Sequence, residues 1–201
     1  MKTRSRLLIA ALATLGLATF VPRADAKKST PAAPAAAAAP ADAFQNDFLG
    51  LLDDVQKKVL ALVDAFPQDK FKWRPAPGIR SVSEAFLHIA FGNYGLTKAA
   101  TGMAPPAAVG FDGNMQKWDT QTTDKAAIKK ILEASYDHVR AAVKDVKDAD
   151  LDKKVQFFGH EMSERAVLMI IIGHNNEHMG QEVAYARSNG VVPPWSMKHG
   201  G

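Results

Sequence analysis

Apolar residues recur at helical spacing in four stretches of the chain, separated by proline, glycine and polar clusters. The first, about Phe44 to Phe66, sets Phe48, Leu51, Leu52, Val55, Val59, Leu60 and Val63 three and four positions apart, the signature of one helical face. Pro67 ends it, because proline has no N–H to continue the ladder. The second begins at Ser81, where Ser81 and Glu84 have the S-x-x-E form of a capping box, and runs through "SVSEAFLHIAFGNYGLTKAA". The third, about Asp124 to Val146, carries Ile128, Ile131, Leu132, Tyr136, Val139 and Val143, with Lys, Asp and Glu on the opposite face. The fourth, about Ser163 to Asn189, has an apolar middle on all sides and is expected to be the most buried. Gly190 suits its C-terminal cap, and Pro193 and Pro194 stop it.

Between the second and third stretches, "TGMAPPAAVGFDGN" is too rich in Pro and Gly to be helical, and "DADLDKKVQFFGHEMS" before the fourth is irregular, with a short extended piece expected at Val155 to Phe158. No strand-rich region or internal repeat stands out. The pattern predicts an all-α fold, a four-helix bundle with long connections between helices 2 and 3 and between helices 3 and 4, both long enough to cross over the bundle.

The first 43 residues do not fit that scheme. Lys2, Arg4 and Arg6 precede the apolar stretch Leu7 to Val21, and Ala24 to Ala26 reads as a small-x-small cleavage site, the layout of a secretory signal peptide over residues 1–26. The apolar stretch is short for a membrane span. Residues 27–43 form a Pro/Ala-rich tract that reads as a flexible or semi-extended tether. The bundle is then expected over residues 44–195, a normal size for one domain, with a tail at 196–201. This organisation points to a periplasmic or secreted protein with no membrane association beyond the signal.

Charge and cysteine content narrow the chemistry. The net charge is +4 and the isoelectric point about 9.2. Lys2, Arg4, Arg6 and Arg23 against Asp25 put +3 of that in the leader, leaving +1 for residues 27–201. So slight an excess gives no basic face for phosphate contacts, and no nucleic-acid partner is expected. There are no cysteines, which excludes disulfides and thiolate chemistry from the chain and restricts metal ligands to His, Asp and Glu. There is no glycine-rich phosphate cradle after a strand and no G-x-S-x-G nucleophile elbow.

Histidine is left. His174 and His178 lie one turn apart on the fourth helix, so both imidazoles project from one face. Two readings stand for such a pair, ligands of one cation or core histidines with backbone partners. Both follow the apolar run "AVLMIII", where an imidazole without a partner costs roughly 1 to 3 kcal/mol. His88, among Phe86, Leu87, Ile89 and Phe91 on the second helix, is subject to the same two readings. Taken together, His88, His174 and His178 suit a three-nitrogen site with one or more open positions for Zn²⁺, Ni²⁺ or Fe²⁺, rather than the oxygen-seeking Mg²⁺ or Ca²⁺.

Neighbouring residues have weaker claims. Gly92, one turn beyond His88, either leaves space beside it or serves helix packing. Glu84 is a helix cap or an acceptor for an imidazole N–H. Gln181 and Tyr185 continue the His174 and His178 face and either line a pocket or fill the core. Glu177 lies off that face and is not placed as in an H-E-x-x-H motif. His160 is a candidate gate or extra ligand, Trp73 a loop anchor or pocket wall. His138 and His199 are expected to be solvated.

At these residues the chain resembles the DinB-like family of metal-binding four-helix bundles, also called DinB/YfiT-like. The matching pieces are "WRPAPGIRSVSEAFLHI" around His88 and "GHNNEHMGQEVAYARSNGVVPP" around His174 and His178, with the resemblance spanning roughly residues 44–195. It implies a histidine triad holding a divalent metal at His88, His174 and His178, with Zn²⁺ or Ni²⁺ foremost, a homodimer, and a small-molecule substrate. Some members are thiol-dependent transferases or isomerases, and the expectation here is a metal-dependent hydrolase or transferase. The alternative is a non-catalytic helical binding module at the cell envelope, stabilised by its metal. The leader and tether depart from the family pattern.

Overall fold

The computed structural model describes residues 42–196; the expected signal peptide, nearly all of the tether, and His199 in the tail lie outside them. Four long helices make the body: α1 (Ala43–Ala65), α2 (Val82–Thr101), α4 (Lys125–Val143) and α5 (Glu164–Ser188). A five-residue helix, α3 (Met115–Asp119), sits in the second connection, and a hairpin of β1 (Lys154–Phe157) and β2 (His160–Ser163) precedes α5.

The helix starts follow from local chemistry. At α2, Ser81 Oγ accepts from the Glu84 N–H at 3.3 Å while Glu84 Oε2 accepts from the Ser81 N–H at 2.9 Å, the reciprocal pairing expected of a capping box. Asp124 and Ser163 cap α4 and α5 in the same sense. Gly190 after α5 has φ +71°, the left-handed conformation for which glycine is suited. The hairpin turns through Phe158 and Gly159, both with positive φ as a two-residue primed turn requires, and Phe157 pairs with His160. The extended piece expected at Val155 to Phe158 is therefore one strand of a pair.

The order of the helices is up, down, down, up. Gln45 at the start of α1 donates to Val143 O at the end of α4 (2.9 Å), while Lys125 at the start of α4 donates to Phe66 O just past α1 (2.8 Å), so these two run antiparallel. Phe66 also meets Phe86 near the start of α2, with ring centroids 6.0 Å apart, so α2 and α4 begin at the same end and run parallel. Parallel neighbours cannot be joined by a short turn, and residues 102–124 must travel back along a helix about 30 Å long. The connection after α4 stays at one end, where Arg165 N–H donates to Leu151 O. Of the two long connections, only the first crosses the bundle.

Two expectations about burial are corrected. The most buried helix is α2, with 13 of its 20 residues buried, against 10 of 25 in α5. The cause is position: α2 packs against α4, α5 and the crossing connection, whereas α5 exposes Gly173, Asn176 and Glu177. His138 is buried against Tyr94, with centroids 5.2 Å apart, and desolvation holds its pKa below the ordinary value, opposed by a hydrogen bond to the Met103 backbone. Charged neighbours in sequence lie around the helix from it and do not solvate it.

A buried polar chain ties three helices together beside the histidines. Tyr136 Oη donates to Asn175 Oδ1 (2.7 Å), Asn175 Nδ2 donates to Asn93 Oδ1 (2.7 Å) and to Ile171 O (2.8 Å), and Asn93 Nδ2 donates to Ser135 Oγ (3.0 Å). Each of these groups has a partner, so the network fixes the rotation of α5 against α2 and α4 at little desolvation cost. Among the described residues no helix is long and apolar enough to cross a membrane.

Candidate metal centre

The antiparallel pairing of α2 with α5 sets His88 opposite His174 and His178. The ring centroids of His88 lie 5.1 Å from His174 and 4.7 Å from His178, and those of His174 and His178 are 4.5 Å apart. One nitrogen from each ring falls within 4.8 Å of the others, close enough to share one cation. The three histidines singled out from sequence are thus brought together. Gly92 makes the approach possible, since a β-carbon there would overlap the His174 imidazole.

The tautomer of His178 can be read from a directed chain of hydrogen bonds. The Arg80 carbonyl can only accept, so Tyr185 Oη donates to it at 3.1 Å and must itself accept from Gln181 Nε2 at 2.7 Å. Gln181 therefore turns Oε1 toward His178 Nδ1, 2.9 Å away, and that nitrogen must carry the proton. Nε2 of His178 is left with a free lone pair, the arrangement usual for an imidazole ligand held by an outer partner. Gln181 and Tyr185 are thus engaged with the site. Trp73 packs edge-on against Tyr185 at 5.3 Å and anchors the loop to it.

Two other imidazole nitrogens are stranded. His88 Nδ1 and His174 Nδ1 are buried with no hydrogen-bond partner in the protein. Burial first, then the neighbouring His178, His88 and Arg80, push the His174 pKa down to about 3. Burial likewise lowers that of His178, against the opposing Gln181 hydrogen bond. At His174 and His178 burial thus favours the neutral ring, the protonation state that metal ligation requires. The donor set of three nitrogens fits a borderline transition metal such as Zn²⁺ or Ni²⁺.

Asp119, at the end of α3, was not singled out from sequence. Its Oδ2 lies 3.4 Å from His88 Nδ1 and accepts from Arg80 Nε at 2.8 Å, while its Oδ1 is buried without a partner. Trp118 places it by donating Nε1–H to Leu87 O at 2.9 Å. A tryptophan within a connection otherwise rich in Pro and Gly was the available signal that the segment packs on the bundle. The carboxylate beside His88 is Asp119, because Glu84 is taken up by its cap and by Arg74 (2.6 Å). His160 is exposed on β2 and Glu177 is exposed on α5; neither joins the cluster.

Cavities adjoin the cluster on two sides. One, of about 590 Å³, is polar and is lined by the Arg74–Glu84 and Arg80–Asp119 ion pairs and by Gln181. The other, of about 560 Å³, lies between α2 and the hairpin and reaches His88 and His174. Met115 borders both.

The architecture recurs in known proteins. The model of the DinB superfamily matches residues 51–181. A DinB-like protein from Bacillus cereus has a similar solved structure, with a TM-score of 0.64 and 21% identity over 74% of this chain and 95% of that one. Another, from Bacillus subtilis, gives 0.57 and 18% over 72% and 92%. At such identities the likeness shows the fold. No curated protein matches the chain. With the family model covering most of the bundle, the chain belongs to the DinB superfamily.

Proposed function

We propose that this chain is an exported metalloprotein in which His88, His174 and His178 hold one divalent transition metal, Zn²⁺ or Ni²⁺ foremost, at a centre serving a hydrolase or transferase reaction on a small molecule. The observation that carries the reading is the convergence of three imidazole donors within 4.8 Å, two of them with a buried nitrogen that makes no hydrogen bond in the protein. When bound, such an ion supplies Lewis acidity in a site with room for a further ligand. The protein's own residues do the positioning: Gln181 and Tyr185 orient His178, Asp119 stands beside His88, and Gly92 admits His174. Export rests on the leader read in residues 1–26.

The test is the metal content of the purified protein beside a His88→Ala, His174→Ala, His178→Ala variant. Stoichiometric metal in the first and none in the second is expected, and equal content overturns the reading. Chelation separates a reactive centre from a structural one. The bundle has an extensive apolar core and a satisfied polar network, so it is expected to stay folded when metal is stripped. Unfolding on chelation would favour a non-catalytic, metal-stabilised binding module instead.

A further inference from the structure

The cavity between α2 and the hairpin has walls unlike those of its polar neighbour. Phe91, Leu96, Phe111, Phe157 and Ile170 give it apolar walls, with no Lys, Arg, Asp or Glu in the lining, and its polar side chains are Gln156 and the two imidazoles of His88 and His174. At about 560 Å³ it has the capacity of a small-molecule pocket. A charged group placed in it would lose its hydration and find no counter-ion. The charged side chains near the centre lie in the other cavity, where Arg74 and Arg80 are already paired with Glu84 and Asp119.

One feature of the chain points to volume kept open. Gly95 lies within α2, where glycine costs about 1 kcal/mol relative to alanine. Its backbone does not need glycine, since its φ is not positive, and a β-carbon there would meet only the edge of Phe111, at an ordinary 3.7 Å. Packing therefore does not explain the glycine, whereas a larger residue would fill the cavity. At the rim, Phe158 is 86% exposed at the hairpin tip. It holds a left-handed φ of 47°, a conformation that costs a non-glycine residue roughly 1 to 2 kcal/mol.

From these we infer that the centre takes an uncharged, predominantly apolar small molecule, whose apolar body lies between α2 and the hairpin and whose polar end meets His88 and His174. The inference rests on the reading of the three histidines as a binding centre, and it assigns the class of compound that centre receives. Phe158 forms the outer edge of the pocket, and Gly95 keeps its floor open.

Titration of the full chain with the uncharged fluorophore phenylnaphthylamine, set against its anionic analogue anilinonaphthalene sulfonate, tests this. One saturable site per chain is expected, binding the neutral probe about tenfold more tightly than the anion. Gly95→Leu should weaken the neutral probe by about tenfold while melting no lower than the parent and keeping its metal content. Phe158→Ser, an exposed change that leaves the core untouched, should weaken it by about threefold. Equal affinity for both probes, undiminished binding by Gly95→Leu, or a probe signal that tracks self-association of the chain would each overturn the inference. If the histidines bound no metal while the probe bound as described, the reading of the centre would fail alone; metal binding with no uptake of the neutral probe would sink only the apolar pocket.

Discussion

The imidazole of His174 occupies the space into which a β-carbon at Gly92 would project. Glycine at this position is therefore a condition of the ring's place in the cluster, 4.5 Å from His178 and 5.1 Å from His88. Gly92→Ala should push His174 out of register and lower metal affinity by about tenfold or more. Overpacking costs roughly 1 to 3 kcal/mol, partly offset by about 1 kcal/mol of improved helix propensity. Gly95→Ala, three residues further along α2 and meeting only the edge of Phe111 at an ordinary 3.7 Å, is the control: isothermal titration with Zn²⁺ should show its affinity unchanged.

Gln181 holds His178 in one tautomer, and its removal should be felt at the metal. Gln181→Leu leaves His178 Nδ1–H without its acceptor, and metal affinity is expected to fall about 10- to 100-fold with little change in melting temperature. Gln181→Glu retains an acceptor at the same position and should preserve most of the affinity. Competition with a chelator of known affinity measures both, and equal behaviour of the two variants would show that the hydrogen bond is not what matters.

Acid should destabilise the metal-free domain through these rings. In the unfolded chain His174 titrates near 6.5, whereas burial lowers its folded value to about 3. Between those limits the unfolded state binds more protons, so the stability that His174 contributes is complete above pH 6.5 and is lost as pH falls toward 3. His178 and His138, also depressed by burial, act in the same direction. Thermal melts of the metal-free protein should fall across this window, and His174→Asn should flatten the slope.

Glu182 has the opposite sign. It is fully buried, both carboxylate oxygens lack a protein partner, and desolvation raises its pKa well above the ordinary 4.5. The folded state therefore keeps this proton above pH 4.5, and the associated stability is lost as pH rises toward the elevated folded value. Glu182→Met should stabilise the domain at neutral pH by roughly 1 to 3 kcal/mol, and by less at low pH. Denaturant titrations at both pH values measure the difference; a loss of stability at neutral pH would mean that the carboxyl has a favourable role in the fold.

Much of the candidate centre was legible in the chain because its components are local patterns. His174 and His178 share a face by the pitch of one helix, Ser81 and Glu84 mark the start of another within four residues, and Gly190 closes the last. The adjacency of His88 to Asp119 was not legible, since no short-range period connects positions so far apart and α3 is only five residues long. His138 was misplaced for the same kind of reason: the charges flanking it in sequence lie on other sides of α4, and burial depends on which side meets Tyr94.

By itself, then, the sequence determined the four long helices, their ends and the three imidazoles available to meet, since periodicity and capping act over a few residues. Only the tertiary structure decided that α2 runs antiparallel to α5 and parallel to α4. Those directions bring the histidines together, make residues 102–124 cross the bundle and carry Asp119 to His88, and they are set by long-range packing and by the buried Asn93–Asn175 pairing, which local spacing does not encode.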